Sequence, residues 1–219
     1  MIQLVIFDFD GTLFDTRQDI ADAVNFARIH FDLPEHSLEA VTGMVGFGIQ
    51  VLADKAFADS AVSGPEALPV IMQYYSAHPS DKAQLYPGVS STLPRIEAKR
   101  AIVSNKPVAL VKAMLEERGM TGHFAHVSGG DSFPGKKPDP KIVEALQSEF
   151  QVDEREILVV GDHSPDIEMA RAAGTWSVFC RYGFLGDDPV GADFAIDAFP
   201  ELLEVIARIN GGNPSQAND

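Results

Sequence analysis

Short apolar runs recur along this chain, and each of them ends in small or acidic residues. The strongest runs cover residues 4–7, 101–103 and 157–160, and weaker ones cover 126–128 and 177–179. Runs that are this short and apolar on both faces are typical of strands inside a parallel sheet. Segments with helical spacing of apolar residues separate them. We therefore predict an α/β fold with a doubly wound, Rossmann-like parallel sheet, in which helices cover 107–118, 138–150 and 165–173.

One long segment breaks this alternation. Helical spacing occurs over residues 16–31, 48–57 and 66–77, and no convincing strand is found between Asp15 and Pro87. A block of helices inserted after the first strand is typical of a separate small domain. We predict a helical cap domain at 16–86, inserted into a catalytic core domain formed by 1–15 and 87–209. Residues 210–219 are polar and rich in Gly and Asn, which predicts a flexible tail.

The composition limits the classes of partner. The chain has 219 residues and a formal net charge of −15. This argues against binding to nucleic acid or to an anionic membrane surface, since both rely on Lys and Arg to neutralise phosphates, but one local site can still bind a small anion. Cys180 is the only cysteine, which suits a reducing compartment. With no apolar run of about 20 residues and no recognisable signal peptide, we expect a cytoplasmic protein.

Two acids and a glycine follow the first apolar run, in the sequence Asp-Phe-Asp-Gly-Thr at residues 8–12. Alternation along a strand directs Asp8 and Asp10 to the same side, and parallel sheets bind ligands at the carboxyl ends of their strands. Gly11 allows a sharp turn and a close approach of the backbone to an anion. A plain turn in which Thr12 caps a helix is the alternative. However, two adjacent acids repel each other unless a cation or a shared proton lies between them.

Two further polar groups follow other predicted strands or precede predicted helices. Ser104 and Asn105 come directly after the run at 101–103, where a hydroxyl and backbone amides can bind an anion; simple capping of the next helix is the alternative. Pro138 fits the first turn of the helix at 138–150 and would place Lys137 just before it. A cation there is electrostatically misplaced unless an anion lies nearby, and a solvated basic loop is the alternative.

The last group consists of Asp162 and Asp166, which follow the run at 157–160. Asp162 can reach the strand ends, and Asp166 can support it from the first helical turn or can simply complement the helix dipole. Three carboxylates at one point need a cation, and oxygen ligands without a His or Cys cluster favour Mg²⁺ over Zn²⁺. A lysine and a hydroxyl beside such a metal predict a bound phosphate, and the combination predicts phosphoryl transfer.

This order of motifs resembles the haloacid dehalogenase superfamily in its phosphatase branch, and within it the phosphoglycolate phosphatases. The resemblance extends from Asp8 to about Leu203. It rests on six segments, at residues 8–16, 86–89, 104–107, 129–131, 135–138 and 170–174. It implies a small helical cap over the sheet, a small phosphorylated metabolite as partner, and a monomer or homodimer.

The resemblance also implies a catalytic role for four residues. Asp8 would be the nucleophile that forms an aspartyl-phosphate. Asp10 would protonate the leaving alcohol and then activate water. Ser104 and Lys137 would hold the transferring phosphoryl group.

Metal and phosphate ligands follow from the same resemblance. Mg²⁺ would be held by Asp8, the backbone carbonyl of Asp10, and Asp162, with Asp166 acting directly or through water. N–H groups around Gly11 and Asn105 would bind phosphate. Thr12 is expected to orient this loop and Asp10.

Three other functions share part of this pattern. The carbon–halogen hydrolases of the superfamily lack an acid at the position of Asp10, which makes a dehalogenase a poor fit. A sugar-phosphate mutase, or another phosphatase acting on nucleotides or sugar phosphates, keeps the same acids. A receiver-type switch also accepts phosphate on an aspartate beside Mg²⁺, but it needs no helical insert.

Three features leave the substrate open. His163 stands where phosphoglycolate phosphatases commonly have a small hydroxyl residue, and we expect it to be exposed beside the metal unless it contacts substrate. Gly43, Gly46 and Gly48 predict either a loop that descends on the substrate or an ordinary turn between helices. Arg17 is the first cation to test for binding a substrate carboxylate, with an exposed surface charge as the alternative.

Overall fold

The computed structural model describes residues 1–186, 188 and 190–211. Its central sheet has six parallel strands in the order β5-β4-β1-β6-β7-β8. A second sheet is a two-stranded antiparallel pair of β2 and β3. The strands are β1 (Leu4–Phe7), β2 (Phe14–Asp15), β3 (Gln84–Leu85), β4 (Lys99–Val103), β5 (His126–Ser128), β6 (Ile157–Gly161), β7 (Trp176–Cys180) and β8 (Phe194–Ile196).

Helices cover both faces of the six-stranded sheet. In β1, Val5 and Phe7 join one apolar cluster, whereas Leu4 and Ile6 join another on the opposite face. Both faces are therefore dry, which explains why the strand is apolar at every position. The predicted α/β fold with a doubly wound parallel sheet is confirmed. The helices are α1 (Arg17–His30), α2 (Leu38–Thr42), α3 (Ile49–Ala56), α4 (Gly64–Ala77), α5 (Val89–Thr92), α6 (Val108–Glu117), α7 (Lys141–Phe150), α8 (Ser164–Ala172) and α9 (Leu202–Asn210).

Helices α1 to α4 share an apolar cluster of their own, which we call the helical unit. Ile20, Val24 and Ile71 are fully or almost fully buried in it. Leu110 of α6 joins the same cluster and so links the helical unit to the sheet. The chain enters and leaves the unit through β2 and β3, which pair directly. The expectation of no strand between Asp15 and Pro87 was therefore wrong, because two-residue strands are too short to leave an alternating pattern.

The start of α7 and the start of the C-terminal tail differ from the predictions. Helix α7 begins at Lys141 rather than at Pro138, since Pro140 disfavours a helical conformation at Asp139. The side chain of Asp139 instead accepts a hydrogen bond from the backbone N–H of Lys141, at 3.0 Å. At the other end of the chain, Asn210, where the flexible tail was predicted to begin, is the last residue of α9, so that start is wrong. Residues 212–219 of the predicted tail lie outside the described residues. Within the described residues, no helix is long and apolar enough to cross a membrane.

Candidate active site

The carboxyl ends of three neighbouring strands bring the predicted site residues together. Asp8 and Asp10 follow β1, Ser104 and Asn105 follow β4, and Asp162 follows β6. In the sheet, β1 lies between β4 and β6, so these segments meet at its centre, which is where ligands bind in such sheets. One pocket contains most of the predicted site: it is lined by Asp8, Asp10, Ser104, Asn105, Lys137 and Asp162.

Three buried carboxylates form a cluster beside this pocket. Asp8, Asp162 and Asp166 each offer an oxygen atom, and these atoms lie within 4.8 Å of one another. Burial, together with repulsion between the carboxylates, raises the pKa of Asp8 to about 6 against the attraction of Lys137. Burial and the charges of Asp8 and Asp166 also raise the pKa of Asp162. The cluster is thus short of positive charge, and it can bind a metal ion.

Lys137 is the cation closest to this cluster. Its Nζ lies 2.6 Å from Oδ1 of Asp8 and 2.7 Å from Oδ1 of Asp166. Burial lowers the pKa of Lys137, but the charges of Asp166 and Asp8 outweigh burial and raise the pKa above its ordinary value. The side chain is only 2% exposed, so the alternative of a solvated basic loop is wrong at this residue.

The loop after β1 fixes Asp162 rather than Asp10. The hydroxyl of Thr12 donates a hydrogen bond to Oδ1 of Asp162 at 3.0 Å, and the backbone N–H of Phe184 donates to Oδ2 at 2.8 Å. The expected contact of Thr12 with Asp10 is therefore corrected. The N–H of Gly11 donates to the carbonyl of Phe14 at 2.8 Å, so this amide is not free for phosphate, although the glycine remains necessary because a Cβ there would lie 2.1 Å from Asp162.

Asp10 is held by two side chains, neither of which the sequence analysis predicted to contact it. Oδ1 accepts a hydrogen bond from the hydroxyl of Thr16 at 2.7 Å and from the ammonium of Lys106 at 3.0 Å. The same ammonium donates to the hydroxyl of Tyr75. Lys106 lay within a motif of the resemblance but had no role of its own, and Tyr75 fitted the apolar pattern of its helix. The missed signal was a lysine directly beside the predicted phosphate-binding residues.

Ser104 and Asn105 do not cap the following helix. Helix α6 is capped instead by Asp131, whose Oδ1 accepts the backbone N–H of Val108 at 2.8 Å. Asn105 accepts the backbone N–H of Lys137 at 3.0 Å and donates to the carbonyl of Gly46 at 2.9 Å. Its side chain therefore fixes the Lys137 segment and ties the helical unit to the sheet. The simple capping alternative is wrong for both residues.

The helical unit closes the other side of the pocket with apolar groups. Ile20, Val45, Ile49 and Leu52 line it. Gly46 and Gly48 line it too, with φ of 113° and 93°. Gly43 has an ordinary right-handed helical conformation. The glycine-containing loop thus lies over the pocket, as one of the two sequence interpretations predicts.

His163 lines the pocket, whereas Arg17 does not. His163 lines the pocket and is half-buried, with its ring 5.2 Å from that of Phe47 in an edge-to-face arrangement, so the expectation of an exposed histidine is wrong. Burial lowers its pKa. Arg17 lies outside the pocket lining and forms an ion pair with Asp15 at 2.6 Å, which satisfies its charge locally.

The charges of the site do not balance. Among the described residues, Asp8, Asp10, Asp162 and Asp166 face two ammonium groups, those of Lys106 and Lys137. When all four carboxyl groups are ionised, they exceed these ammonium groups by two negative charges, which a divalent cation would neutralise. Oxygen donors alone make up the cluster, and such donor sets suit hard cations. The residues present therefore fit a divalent metal ion.

The fold and the site together define an α/β enzyme with a carboxylate cluster at the strand ends and a helical unit above it. The chain belongs to the haloacid dehalogenase-like hydrolases, whose family model matches residues 5–180. It is 36% identical to a phosphoglycolate phosphatase of Vibrio parahaemolyticus, covering 94% of this chain and 96% of the relative. It is 35% identical to a phosphoglycolate phosphatase of Vibrio cholerae, with 94% and 97% covered.

Solved structures show the same relationship. A crystal structure from Haemophilus somnus, described as a predicted phosphoglycolate phosphatase, superimposes with a TM-score of 0.89 at 30% identity. The superposition covers 94% of this chain and 98% of that one. The predicted family and the predicted enzyme class, a phosphatase of this family, are confirmed. A receiver-type switch is not favoured.

Proposed function

We propose that this protein is a cytoplasmic, Mg²⁺-dependent phosphatase that hydrolyses 2-phosphoglycolate or a similarly small phosphate monoester. The observation that carries the proposal is the contact of Lys137 with both Asp8 and Asp166, at 2.6 and 2.7 Å, beside the cluster with Asp162. Lys137, together with a metal ion bound by the carboxylates, would neutralise negative charge and so allow the Asp8 carboxylate to attack the phosphate, which is also an anion. The names of the relatives support the choice of 2-phosphoglycolate.

The first chemical step forms a covalent intermediate on Asp8. Its carboxylate oxygen attacks phosphorus, the bond from phosphorus to the leaving oxygen breaks, and Asp10 gives its proton to that oxygen. The products are an aspartyl-phosphate and a free alcohol. Lys137 and Ser104 hold the phosphoryl oxygens during transfer.

The second step returns the enzyme to its starting state. Asp10, now a carboxylate, takes a proton from water, and the water oxygen attacks phosphorus. The bond between phosphorus and Asp8 breaks, which releases inorganic phosphate and restores the Asp8 carboxylate. Mg²⁺, bound by Asp8, Asp162, Asp166 and the backbone carbonyl of Asp10, would supply charge neutralisation at the transferring group.

Residues 16–86, which contain the helical unit, would act as a cap domain. This domain would exclude water from the pocket and limit the size of the leaving group. The side chains that the helical unit contributes to the pocket are largely apolar. The ammonium of Lys106 lies between Asp10 and Tyr75 in the same pocket. A small alcohol with at most one further negative charge suits such a pocket better than a nucleotide. The same reasoning favours a metabolite as partner over a nucleic acid or a membrane.

A substrate screen tests this function. Purified protein would be assayed with Mg²⁺ against 2-phosphoglycolate, sugar phosphates, nucleoside monophosphates and 4-nitrophenyl phosphate, with kcat/KM as the readout. We expect 2-phosphoglycolate among the best substrates, no turnover in EDTA, and recovery on adding Mg²⁺. Poor turnover of 2-phosphoglycolate beside good turnover of another ester would overturn the substrate but not the reaction. Phosphorus NMR that shows isomerised sugar phosphate instead of free phosphate would establish a mutase.

A further inference from the structure

Lys106 contacts both Asp10, which is the predicted general acid, and Tyr75 of the helical unit. Its Nζ lies 3.0 and 3.3 Å from the two carboxylate oxygens of Asp10. The ammonium also donates a hydrogen bond to the hydroxyl of Tyr75, and it lies 4.4 Å from the centre of the Tyr75 ring. Asp10 follows β1 and Lys106 follows β4, whereas Tyr75 belongs to α4 of the helical unit.

All three groups are withdrawn from solvent. The side chain of Lys106 is 3% exposed and that of Asp10 is 12% exposed, and Tyr75 is 2% exposed. An ammonium buried this deeply is costly unless each of its donors finds a partner. Asp10 and Tyr75 supply those partners, so the position of the Lys106 ammonium depends on both of them.

We propose that Lys106 is a positioning residue that holds the Asp10 carboxyl group for proton transfer, and that Tyr75 holds Lys106 in the position where it can do so. Tyr75 reaches Lys106 only while α4 lies against the sheet. The general acid is therefore set in place when the helical unit covers the pocket and water is excluded. This inference rests on the proposed function, because it concerns the role of Asp10 in that reaction.

The geometry favours this role over a role in gripping the phosphoryl group. Lys137 already contacts the nucleophile Asp8, whereas the polar contacts of Lys106 are with the acid and with the helical unit. Thr16 fixes one oxygen of Asp10 at 2.7 Å, and Lys106 lies within reach of both. Loss of Lys106 would leave the carboxyl group with a single side-chain partner among the described residues.

Two aryl esters of similar shape distinguish a defect in proton donation from a defect in binding. Phenyl phosphate releases a basic phenolate that benefits from a proton, and 4-nitrophenyl phosphate releases a weakly basic one. The ratio kcat/KM reports the steps up to the departure of the alcohol, so it is insensitive to the later hydrolysis step. We expect Lys106→Met to lower kcat/KM by about 100-fold for phenyl phosphate but only by about tenfold for 4-nitrophenyl phosphate.

Partner variants complete the test. Tyr75→Phe should show the same preference with a smaller loss, and the double variant should be no worse than Lys106→Met alone, because both changes break one chain of contacts. Lys106→Arg should recover part of the activity, as it keeps the charge. Lys136→Met is the matched control, since Lys136 also bridges to the helical unit, through Gln50 at 2.5 Å, and should leave both ratios unchanged. Melting temperatures would show that each variant folds.

The outcomes distinguish failure of the positioning role of Lys106 from failure of the proposed acid role of Asp10. Equal losses on the two esters for Lys106→Met, or additive losses for the two variants, would overturn the positioning role and indicate ground-state binding or a structural effect. Asp10→Asn provides the reference, since it should show the strongest dependence on the leaving group. If Asp10→Asn itself treats both esters alike while the wild type turns over, the acid role in the proposed function fails instead.

Discussion

Lys137 and Asp8 form a buried ion pair in which Nζ and Oδ1 lie 2.6 Å apart. The pair brings a cation from the loop after β5 against the carboxylate that follows β1, and its other contact, Asp166, lies in the first turn of α8. Three segments that are distant in the chain are thus joined by one ammonium group. The predictions below follow from this arrangement and from the carboxylates around it.

Replacement of Lys137 should destabilise the metal-free protein. Lys137→Met leaves Asp8 and Asp166 buried without their shared cation, and breaking a buried ion pair in this way costs about 3 kcal/mol. Urea denaturation in EDTA measures the free energy of unfolding. Added Mg²⁺ should restore more stability to this variant than to the wild type, but it should not restore turnover.

The neighbouring lysine provides the control for that experiment. Lys136→Met removes the same charge from a side chain at the surface, where its hydrogen bond to Gln50 is exposed, and should change the free energy of unfolding by less than about 0.5 kcal/mol. Equal destabilisation by the two variants would contradict the account of Lys137.

The raised pKa of Asp8 predicts a pH-dependent stability. Because the pKa is about 6 in the folded protein and 3.8 when unperturbed, the folded state binds more protons than the unfolded state between these values. The contribution of Asp8 is therefore fully present below pH 4 and is lost as the pH rises through 6. A shift of this size corresponds to about 3 kcal/mol.

Comparison with Asp8→Asn isolates this contribution from those of other groups. In EDTA the two proteins should be similarly stable at pH 4, and the variant should be the more stable one at pH 7, since asparagine resembles the protonated acid. Mg²⁺ should reduce this difference at pH 7. Urea denaturation curves at four or five pH values would check the sign, and a wild type that gains stability relative to the variant as the pH rises would contradict it.

Gly11→Ala should disrupt the proposed metal site through a steric clash. A Cβ at this position would lie 2.1 Å from Oδ2 of Asp162, and φ is 86°. Gly119→Ala is the matched control, because φ there is 65° and no atom lies within 4 Å of the added Cβ. Both variants carry the backbone penalty of about 1 kcal/mol, but only Gly11→Ala should weaken Mg²⁺ binding, by at least about tenfold in calorimetry. Equal Mg²⁺ affinities for the two variants would show that Gly11 does not shape the site.

Much of the fold could be predicted because its strands are buried on both faces. Uniformly apolar runs such as residues 157–160 have no other simple explanation, and Gly174, with φ of 70°, marks the expected end of a helix. Strand β8 was not predicted because it has three residues, of which Phe194 and Ala195 are only partly buried. Helix α9 was also not predicted, although Leu202, Val205, Ile206 and Ile209 have helical spacing.

The site residues that directly follow a strand were predictable from the sequence. Contacts between residues that are far apart in the sequence were less predictable. Asp8, Asp10 and Asp162 follow apolar runs, so their convergence follows from the sheet. The donation from Thr12 to Asp162 spans 150 positions, and that from Lys106 to Tyr75 joins the sheet to the helical unit. No local spacing encodes which hydroxyl or ammonium faces which carboxylate, because this depends on how separate elements pack.

The proposed role of Asp8 as nucleophile also predicts the effect of its removal. Asp8→Asn should lower kcat on the order of 10⁴-fold or more, while the protein still folds. Asp22→Asn is the control, since Asp22 lies on α1 and pairs with Lys82 at 2.6 Å, outside the pocket. Turnover of 4-nitrophenyl phosphate with Mg²⁺ measures both variants, and substantial activity in Asp8→Asn would contradict the assignment.

Capture of the covalent intermediate is the most direct test of whether Asp8 is the nucleophile. The Asp10→Asn variant would be mixed with 4-nitrophenyl phosphate and Mg²⁺, quenched in acid within milliseconds to seconds, digested and analysed by mass spectrometry. In the proposed mechanism Asp10 also activates the water, so its loss should allow the aspartyl-phosphate to accumulate. We expect one phosphoryl group on the peptide that contains Asp8. Release of nitrophenol in the same samples without a phosphoryl group on that peptide, or with the group on another residue, would contradict it.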